Sequence, residues 1–157
     1  MRGVTALLDQ LRAQVGTVLG PTAWRRIDQA DIDTFAQLSG DRQWIHTDVE
    51  RARRESPYGT TIAHGNLTLA LIDGFRDELV SVTSGAAMGV NMGYERVRFP
   101  APVPAGAEVR ATLEVRAATE RDDGWVQVVQ RFVVEVRGGE KPACVADSVI
   151  RVLAAPV

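Results

Sequence analysis

Three residue types are scarce in this 157-residue chain, which has one cysteine, Cys144, one lysine, Lys141, and two histidines, His46 and His64. A single thiol cannot close an internal disulfide, so a cytoplasmic location is predicted and Cys144 is expected to be a small buried residue in a strand. The net charge is only −2, and no basic stripe is present that could neutralise phosphates. A nucleic-acid partner is therefore not expected.

Several patterns that would define a function are also missing. No apolar run approaches the roughly 20 residues of a membrane-spanning helix, and the first residues contain no apolar segment typical of a signal peptide. No Cys/His cluster or H-E-x-x-H motif points to a metal. No glycine-rich phosphate loop or G-x-S-x-G motif points to a nucleotide site or a serine hydrolase. We therefore expect no membrane partner and no bound metal.

The hydrophobic pattern changes from a helical to an alternating period along the chain. A helical period over about 3–16 predicts an N-terminal helical extension, and residues from Gly65 to about Leu79 are apolar nearly all round, as in a helix buried within a domain. From Ala87 onward the period is two, in long segments joined by tight turns, which favours an antiparallel sheet. Residues 1–157 are thus predicted to form one α+β domain whose sheet wraps around the central helix.

Shorter elements are predicted between the two helical segments. The run from Trp24 to Ile27 predicts a short strand, and Asp31 is the expected N-cap of a short helix. Asp48 is the expected cap of a brief charged turn that ends at Arg54. The residues with chemical potential lie around these short elements.

An aspartate and a histidine five residues apart are the first candidate pair. Asp41 and His46 lie in an irregular segment, where a carboxylate and an imidazole can hold one water molecule, take a proton from it and return one to carbon. An aspartate at such a turn is also a common Asx-turn residue, and a histidine beside apolar residues is often structural. The residues by themselves leave both interpretations open.

Gly65 is the second candidate, because it begins the predicted central helix. The first N–H groups of a helix have no partner within the helix, and the dipole there is positive, so they can stabilise a thioester oxygen that gains negative charge. Glycine also allows a ligand to approach the backbone closely. The alternatives are an ordinary packing glycine at Gly65 and a structural His64 that bonds to nearby backbone.

Three segments together resemble the MaoC-like, (R)-specific enoyl-CoA hydratases, and in particular their nodulation protein N-like branch. The resemblance covers about residues 20–153, with the motif region at 31–75. The segments read Phe35-Ala-x-Leu-Ser-Gly-Asp-x-x-x-Ile-His-x-Asp-x-Glu-x-Ala52, Gly59-x-x-Ile-Ala-His-Gly65 and Gly93-Tyr-Glu-Arg-Val-Arg-Phe-Pro-Ala-Pro-Val-Pro-Ala-Gly106.

This resemblance implies a hot-dog fold, in which an antiparallel sheet wraps around a long helix and two subunits pair as a homodimer. It also implies that Asp41 and His46 activate water while the N–H of Gly65 polarises the carbonyl of an acyl-CoA thioester substrate. The reaction would be that of a hydro-lyase, which adds water to trans-2-enoyl-CoA to give (R)-3-hydroxyacyl-CoA, or removes it in reverse. No cofactor is implied beyond the CoA that the substrate carries.

The chain departs from the family pattern between the acid and the base. Hydratases of this type commonly read Gly-Asp-x-Asn-Pro-x-His, whereas this chain has Gln43 and Trp44 in place of Asn-Pro. Glutamine keeps a hydrogen-bonding amide but places it one methylene further out, and tryptophan replaces a rigid ring with a bulky one. We therefore expect the shape of the acyl pocket and the position of the water to differ here.

Further residues have open roles. Asn91 either points its amide toward the site or is a turn residue at a strand end, and Arg51 and Arg54 either form a solvated face or contact CoA phosphates. A hot-dog acyl-CoA thioesterase and a non-catalytic acyl-CoA-binding subunit are the alternative functions. Release of free thiol would identify the first, and binding without turnover the second. Acyl chain length is left open and is expected to depend partly on the loop at Ser81 to Ala87.

Overall fold

The helices lie in the first half of the chain and the long strands in the second, as seen in a computed structural model that describes residues 2–80 and 86–155. This order confirms the predicted α+β class. Most of the predicted loop at Ser81 to Ala87 lies outside the described residues. The helices are α1 Arg2–Ala13, α2 Gln29–Ser39, α3 Trp44–Thr47, α4 Val49–Glu55 and α5 Gly65–Leu79.

The strands form one antiparallel sheet. They are β1 Val18–Leu19, β2 Arg25–Arg26, β3 Ala86–Arg98, β4 Glu108–Glu120, β5 Trp125–Val136 and β6 Pro142–Ala154. The sheet order is β1-β4-β5-β6-β3, and β2 also pairs with β4. Along β4, β5 and β6 nearly every second side chain is fully buried, because alternate residues of a strand point to the same face.

The predicted central helix has the predicted bounds, and it packs against the inner face of this sheet. Thr68, Ile72 and Phe75 are its buried residues, spaced by four and three positions along one face. The prediction that this helix is buried on all sides is wrong for the single chain. The sheet covers one side of the helix and leaves the other side open. The exposed residues on the open side include Asn66, Ala70, Asp73, Gly74 and Asp77.

A polar contact fixes the helix in place over the sheet. The guanidinium of Arg76 in α5 donates to Gln130 Oε1 and to Ser148 Oγ, each at 2.9 Å. Gln130 in β5 and Ser148 in β6 lie directly opposite each other in the strand register, and both are buried. These directional bonds set the position of α5 along the strands, which apolar packing alone would leave adjustable.

The N-terminal extension is helical, but it ends at Ala13 rather than near residue 16. Its apolar side joins the main core through Leu7, Leu8 and Leu11. Cys144 is fully buried in β6, as expected, and this burial raises the pKa of its thiol to about 11. Within residues 2–80 and 86–155, none of the helices is long and apolar enough to cross a membrane.

The short helices begin where side chains satisfy their free backbone groups. Helix α2 begins at Gln29 rather than after Asp31, so the predicted cap is wrong by three residues. Asp28 is the N-cap, and Asp31 instead accepts a hydrogen bond from the Asp28 N–H at 3.0 Å. Asp48 caps α4 as predicted, since its carboxylate accepts from the N–H of Arg51 at 2.9 Å.

One ion pair on β5 and β6 makes stability depend on pH. Arg131 donates two hydrogen bonds to Asp147, from Nε at 2.6 Å and from Nη2 at 2.8 Å. These bonds lower the pKa of Asp147 against the opposing effect of its burial. Because the pKa is lower in the folded state than in the unfolded state, the pair stabilises the fold fully at neutral pH. That stabilisation is lost as the pH falls through the folded-state pKa.

We predict that Asp147→Asn lowers the free energy of unfolding by about 1.5–3 kcal/mol at pH 7, because charged hydrogen bonds are lost. The difference from wild type should shrink as the pH falls below about 4, where aspartate ordinarily becomes protonated. Urea unfolding at several pH values measures it. Glu50→Gln is the control and should change little, because the Glu50–Arg53 pair is mostly exposed. A pH-independent loss in Asp147→Asn would contradict the assignment.

Candidate active site

The loop that carries Asp41 is shaped by the end of α2 and the start of α3. Gly40 ends α2 in the left-handed region, with a φ of 80°, and turns the chain into the loop. The N–H of Gln43 donates to Asp41 Oδ1 at 3.3 Å, and the carbonyl of Gln43 accepts from the N–H of His46 at 3.0 Å. The backbone of one residue thereby connects the predicted acid to the predicted base.

The ring of His46 is buried and has a fixed tautomer. Its Nδ1 lies 2.7 Å from the carbonyl oxygen of Ile62. A carbonyl only accepts hydrogen bonds, so Nδ1 carries the proton, and in the neutral ring Nε2 keeps a free lone pair. The imidazole is therefore arranged to accept a proton at Nε2.

Gln29 supports His46 from behind, and no sequence pattern pointed to it. Its Nε2 donates to the carbonyl of His46 at 2.7 Å, and its Oε1 accepts from the hydroxyl of Thr61, which is buried. This one amide joins the start of α2 to α3 and to the segment before α5. A glutamine at a helix start has no distinctive spacing, so only the fold reveals this contact.

The ring of His64 lies on that of His46. The ring centroids are 3.8 Å apart with an angle of 26° between the planes, and His64 also contacts the ring of Phe35 at 5.0 Å. Its Nε2 lies 2.9 Å from the backbone carbonyl of Asp41 and therefore carries the proton. The structure thus brings the two histidines and the aspartate together although His64 is 23 residues from Asp41 in sequence.

Asp41 and His46 are placed to share one water molecule. A carboxylate oxygen of Asp41, a ring nitrogen of His46 and a ring nitrogen of His64 all lie within 4.8 Å of one another. Two hydrogen bonds of about 2.8 Å each can join groups at that separation through one water. Such a water would lie between an acceptor carboxylate and the His46 ring, which is the arrangement that general acid–base chemistry requires.

The same three side chains contain donor atoms that zinc would accept. Zinc needs ligand atoms that converge on it at about 2.0–2.2 Å. The stacked rings of His46 and His64 keep their in-plane lone pairs side by side, so these lone pairs do not converge on one ion. The cluster therefore fits a hydrogen-bonded water better than a metal.

Gly65 and His46 border the same cavity, which has a volume of about 280 Å³. Gly65 is the first residue of α5, so its N–H has no partner within the helix. A Cβ at this position would lie 2.9 Å from the ring of Phe99, which explains the need for glycine here. The other residues of the lining are Tyr58, Ile62, Ala63, Thr68, Pro100, Ala101, Pro102, Val103 and Ala143.

The predicted Asn91 lies at another cavity, and the two predicted arginines differ in their contacts. Asn91 borders a separate cavity of about 330 Å³ beside the C-terminal half of α5, and its Oδ1 accepts from the N–H of Gly93 at 2.8 Å. Arg51 is engaged, since it pairs with Glu55 at 2.7 Å and lies 4.3 Å from the ring of Trp44. In residues 2–80 and 86–155, no carboxylate forms an ion pair with Arg54.

Although Gln43 and Trp44 replace the Asn-Pro of the family pattern, the backbone at these two positions would still accept a proline at 44. Trp44 is the first residue of α3, where the N–H has no helical partner and proline is favoured. Gln43 has φ −55° and ψ 138°, the extended conformation that a residue before proline adopts. The side chain of Trp44, which a proline would lack, packs under the Arg51 guanidinium.

We predict that Trp44→Pro keeps the fold with a change in unfolding free energy of about 1 kcal/mol or less, because the lost contact with Arg51 is offset by a less flexible unfolded chain. Trp44→Ala loses the contact without that gain and should be the less stable variant. Thermal unfolding of both variants measures the order. A proline variant much less stable than the alanine variant would contradict it.

Comparison with known proteins identifies the family of the chain. Residues 10–136 match the model of the MaoC like domain. The chain is 44% identical over 154 residues to 3-hydroxyacyl-thioester dehydratase Z of Mycobacterium tuberculosis, covering 98% of this chain and 100% of that protein. It is 36% identical over 140 residues to Nodulation protein N of Rhizobium leguminosarum bv. viciae, covering 89% of this chain and 87% of that protein.

A solved structure of an (R)-hydratase from A. caviae involved in PHA biosynthesis has the same fold. It superposes with a TM-score of 0.65 at 26% identity and covers 87% of this chain and 94% of its own. The extent of the family match and the identity to full-length relatives confirm the resemblance stated from the motifs. The chain belongs to the MaoC-like dehydratase family of hot-dog hydratases and dehydratases, and it is a hydro-lyase.

Proposed function

We propose that this chain catalyses the reversible addition of water to trans-2-enoyl-CoA, which gives (R)-3-hydroxyacyl-CoA. One observation carries the proposal: the Asp41 carboxylate and the His46 ring lie close enough to share one water, beside the cavity that Gly65 borders. The relatives support the same reaction class, since one is named a 3-hydroxyacyl-thioester dehydratase and another an (R)-hydratase.

In the hydration direction, the free lone pair on His46 Nε2 takes a proton from the water as the water oxygen bonds to C3 of the substrate. Asp41 accepts a hydrogen bond from the other O–H of that water, which stays on the oxygen, and so aims the water oxygen at C3. The electron pair of the C2–C3 double bond moves toward the thioester oxygen. When it returns, C2 takes a proton from the Asp41–His46 pair, so one water is consumed and the double bond becomes single.

Gly65 supplies the electrostatic part of this proposal. The N–H groups at the start of α5 have no partners within the helix and lie at the positive end of its dipole. A thioester oxygen placed there would be stabilised as it gains negative charge, and such donors are often the largest single contribution to acyl-group chemistry. Thr68, which is buried in the first turn of α5, holds this end of the helix in place from the core side.

The phosphates of CoA are proposed to lie near α4. Of the two arginines suggested from the sequence, Arg54 is the better candidate in the described part of the chain, because Arg51 already pairs with Glu55 and packs on Trp44. Arg42 is an exposed cation next to Asp41, and within residues 2–80 and 86–155 it too forms no ion pair. These two guanidiniums can bind phosphate without breaking an ion pair among residues 2–80 and 86–155.

A homodimer is proposed because the free edge of the sheet is apolar. β3 is the edge strand beyond β6, and Met88, Val90 and Met92 on it are exposed by 50%, 39% and 51%. An open edge with apolar side chains is normally covered by another chain. Pairing with a second copy there would also bring a neighbour to the open side of α5.

Three further expectations belong to this proposal. We propose that residues 1–157 act as one catalytic domain, that the reaction needs no cofactor beyond the CoA of its substrate, and that the protein is cytoplasmic. Acid–base chemistry at Asp41 and His46 with an oxyanion contact at Gly65 accounts for every proton and electron pair of the hydration, so no redox or metal step is required.

We predict that Asp41→Asn and His46→Gln each lower the rate of crotonyl-CoA hydration by about 10²–10⁴-fold, because each removes one member of the acid–base pair. Loss of enoyl-thioester absorbance measures the rate. Asp48→Asn is the matched control from the same motif and should keep its rate, since asparagine also caps a helix. Full activity in either active-site variant, or release of free thiol by wild type, would contradict the proposal.

We predict that the wild-type protein has twice the 17.1 kDa mass of one chain in sedimentation equilibrium. The double variant Met88→Lys/Met92→Lys should have the mass of one chain, because two charges at the free edge prevent pairing. Val18→Lys adds a charge to an exposed residue on β1, at the other edge, and should remain dimeric. Dissociation by Val18→Lys alone would place the interface at the β1 edge and contradict the prediction.

A further inference from the structure

We propose that His64 is the positioning residue of this site, which holds the His46 ring and the Asp41 backbone in their reactive arrangement. The proposal rests on the hydratase function above but concerns a residue to which that function assigns no proton transfer. His64 joins three parts of the site, because it contacts the acid, contacts the base and immediately precedes Gly65.

The first argument is the direction of its side chain. His64 is the N-cap residue of α5, yet its side chain makes no capping hydrogen bond to that helix. Its Nε2–H donates instead to the backbone carbonyl of Asp41 at 2.9 Å, across 23 residues of sequence. The bond holds the loop of the carboxylate against the start of the helix that carries the proposed oxyanion contact.

The second argument is the contact with the base. The His64 ring lies 3.8 Å from that of His46, which limits the tilt and rotation of the imidazole while the Ile62 carbonyl holds Nδ1. One face of the His46 ring is therefore covered, and the direction in which the Nε2 lone pair points is limited.

The third argument is an energetic cost that packing alone does not explain. His64 is 3% exposed, and its Nδ1 is one of the buried polar atoms without a hydrogen-bond partner in the described part of the chain. A buried lone pair without a donor costs free energy, which an apolar ring of similar size would avoid. The imidazole makes two contacts that an apolar ring would not make together: the hydrogen bond from Nε2 to Asp41 and the stacking of its face on His46.

Two variants separate these contacts. His64→Phe keeps a ring on His46 and removes the donor to Asp41, whereas His64→Gln keeps an N–H donor of similar reach and removes the ring. We expect each to lower kcat for crotonyl-CoA by about tenfold or more, with KM changed by less than about threefold, because the reacting groups are misplaced but the substrate contacts remain. Ile72→Val is the control for stability, since it weakens the core of the same helix without touching the pair.

The kcat values of both variants are corrected for the fraction of folded protein and compared with that of the control. If His64→Phe and His64→Gln match Ile72→Val in kcat, His64 is a packing residue and the proposal is wrong. If wild type itself does not hydrate enoyl-CoA, the proposed function fails, and His64 is then judged by a measurement that needs no turnover.

That measurement is nitrogen-15 NMR of histidine-labelled protein made without a histidine tag, since the chain has only two histidines. Wild type should show one ring protonated at Nδ1, His46, and one protonated at Nε2, His64. In His64→Ala, the His46 ring is no longer held from one face and can turn away from the Ile62 carbonyl, so it should lose its single tautomer and show averaged nitrogen shifts. An unchanged, fixed Nδ1–H tautomer of His46 in His64→Ala would overturn the positioning role whatever the activity.

Discussion

The hydrogen bond from His46 Nδ1 to the carbonyl of Ile62 is the contact on which the site depends. It is 2.7 Å long and buried, and it joins two segments that are 16 residues apart. Because the carbonyl can only accept, this one bond decides which nitrogen of His46 carries the proton and which can take one. It also brings α3 against the segment that leads into α5, so the proposed base and the start of the helix share one cavity.

The rest of the fold keeps these two segments together. Arg76 ties α5 to Gln130 and Ser148 in the middle of the sheet, which sets the helix along its axis and with it the position of Gly65. On the other side, Gln29 holds the backbone of His46 from the start of α2. An imidazole and a helix N-terminus thus border one cavity, and the Asp41 carboxylate lies within 4.8 Å of a ring nitrogen of His46 and one of His64.

Periodicity and local capping rules predicted the elements that depend on nearby residues. The bounds of α5, the long antiparallel strands and the cap at Asp48 follow from spacing within a few residues. The motif from Asp41 to Gly65 indicated the site, but the tautomers of the two histidines, the role of Gln29 and the separate cavity at Asn91 depend on contacts between distant segments. The open side of α5 was also missed, since composition cannot show which faces of an apolar helix one sheet will cover.

The most direct test is to incubate the wild-type protein with crotonyl-CoA in water labelled with oxygen-18 and to analyse the product thioester by mass and by chiral chromatography. The proposed chemistry predicts (R)-3-hydroxybutyryl-CoA with the label on the C3 hydroxyl and the thioester intact. Label in a free carboxylate together with released CoA, an (S) product, or no incorporation would contradict it.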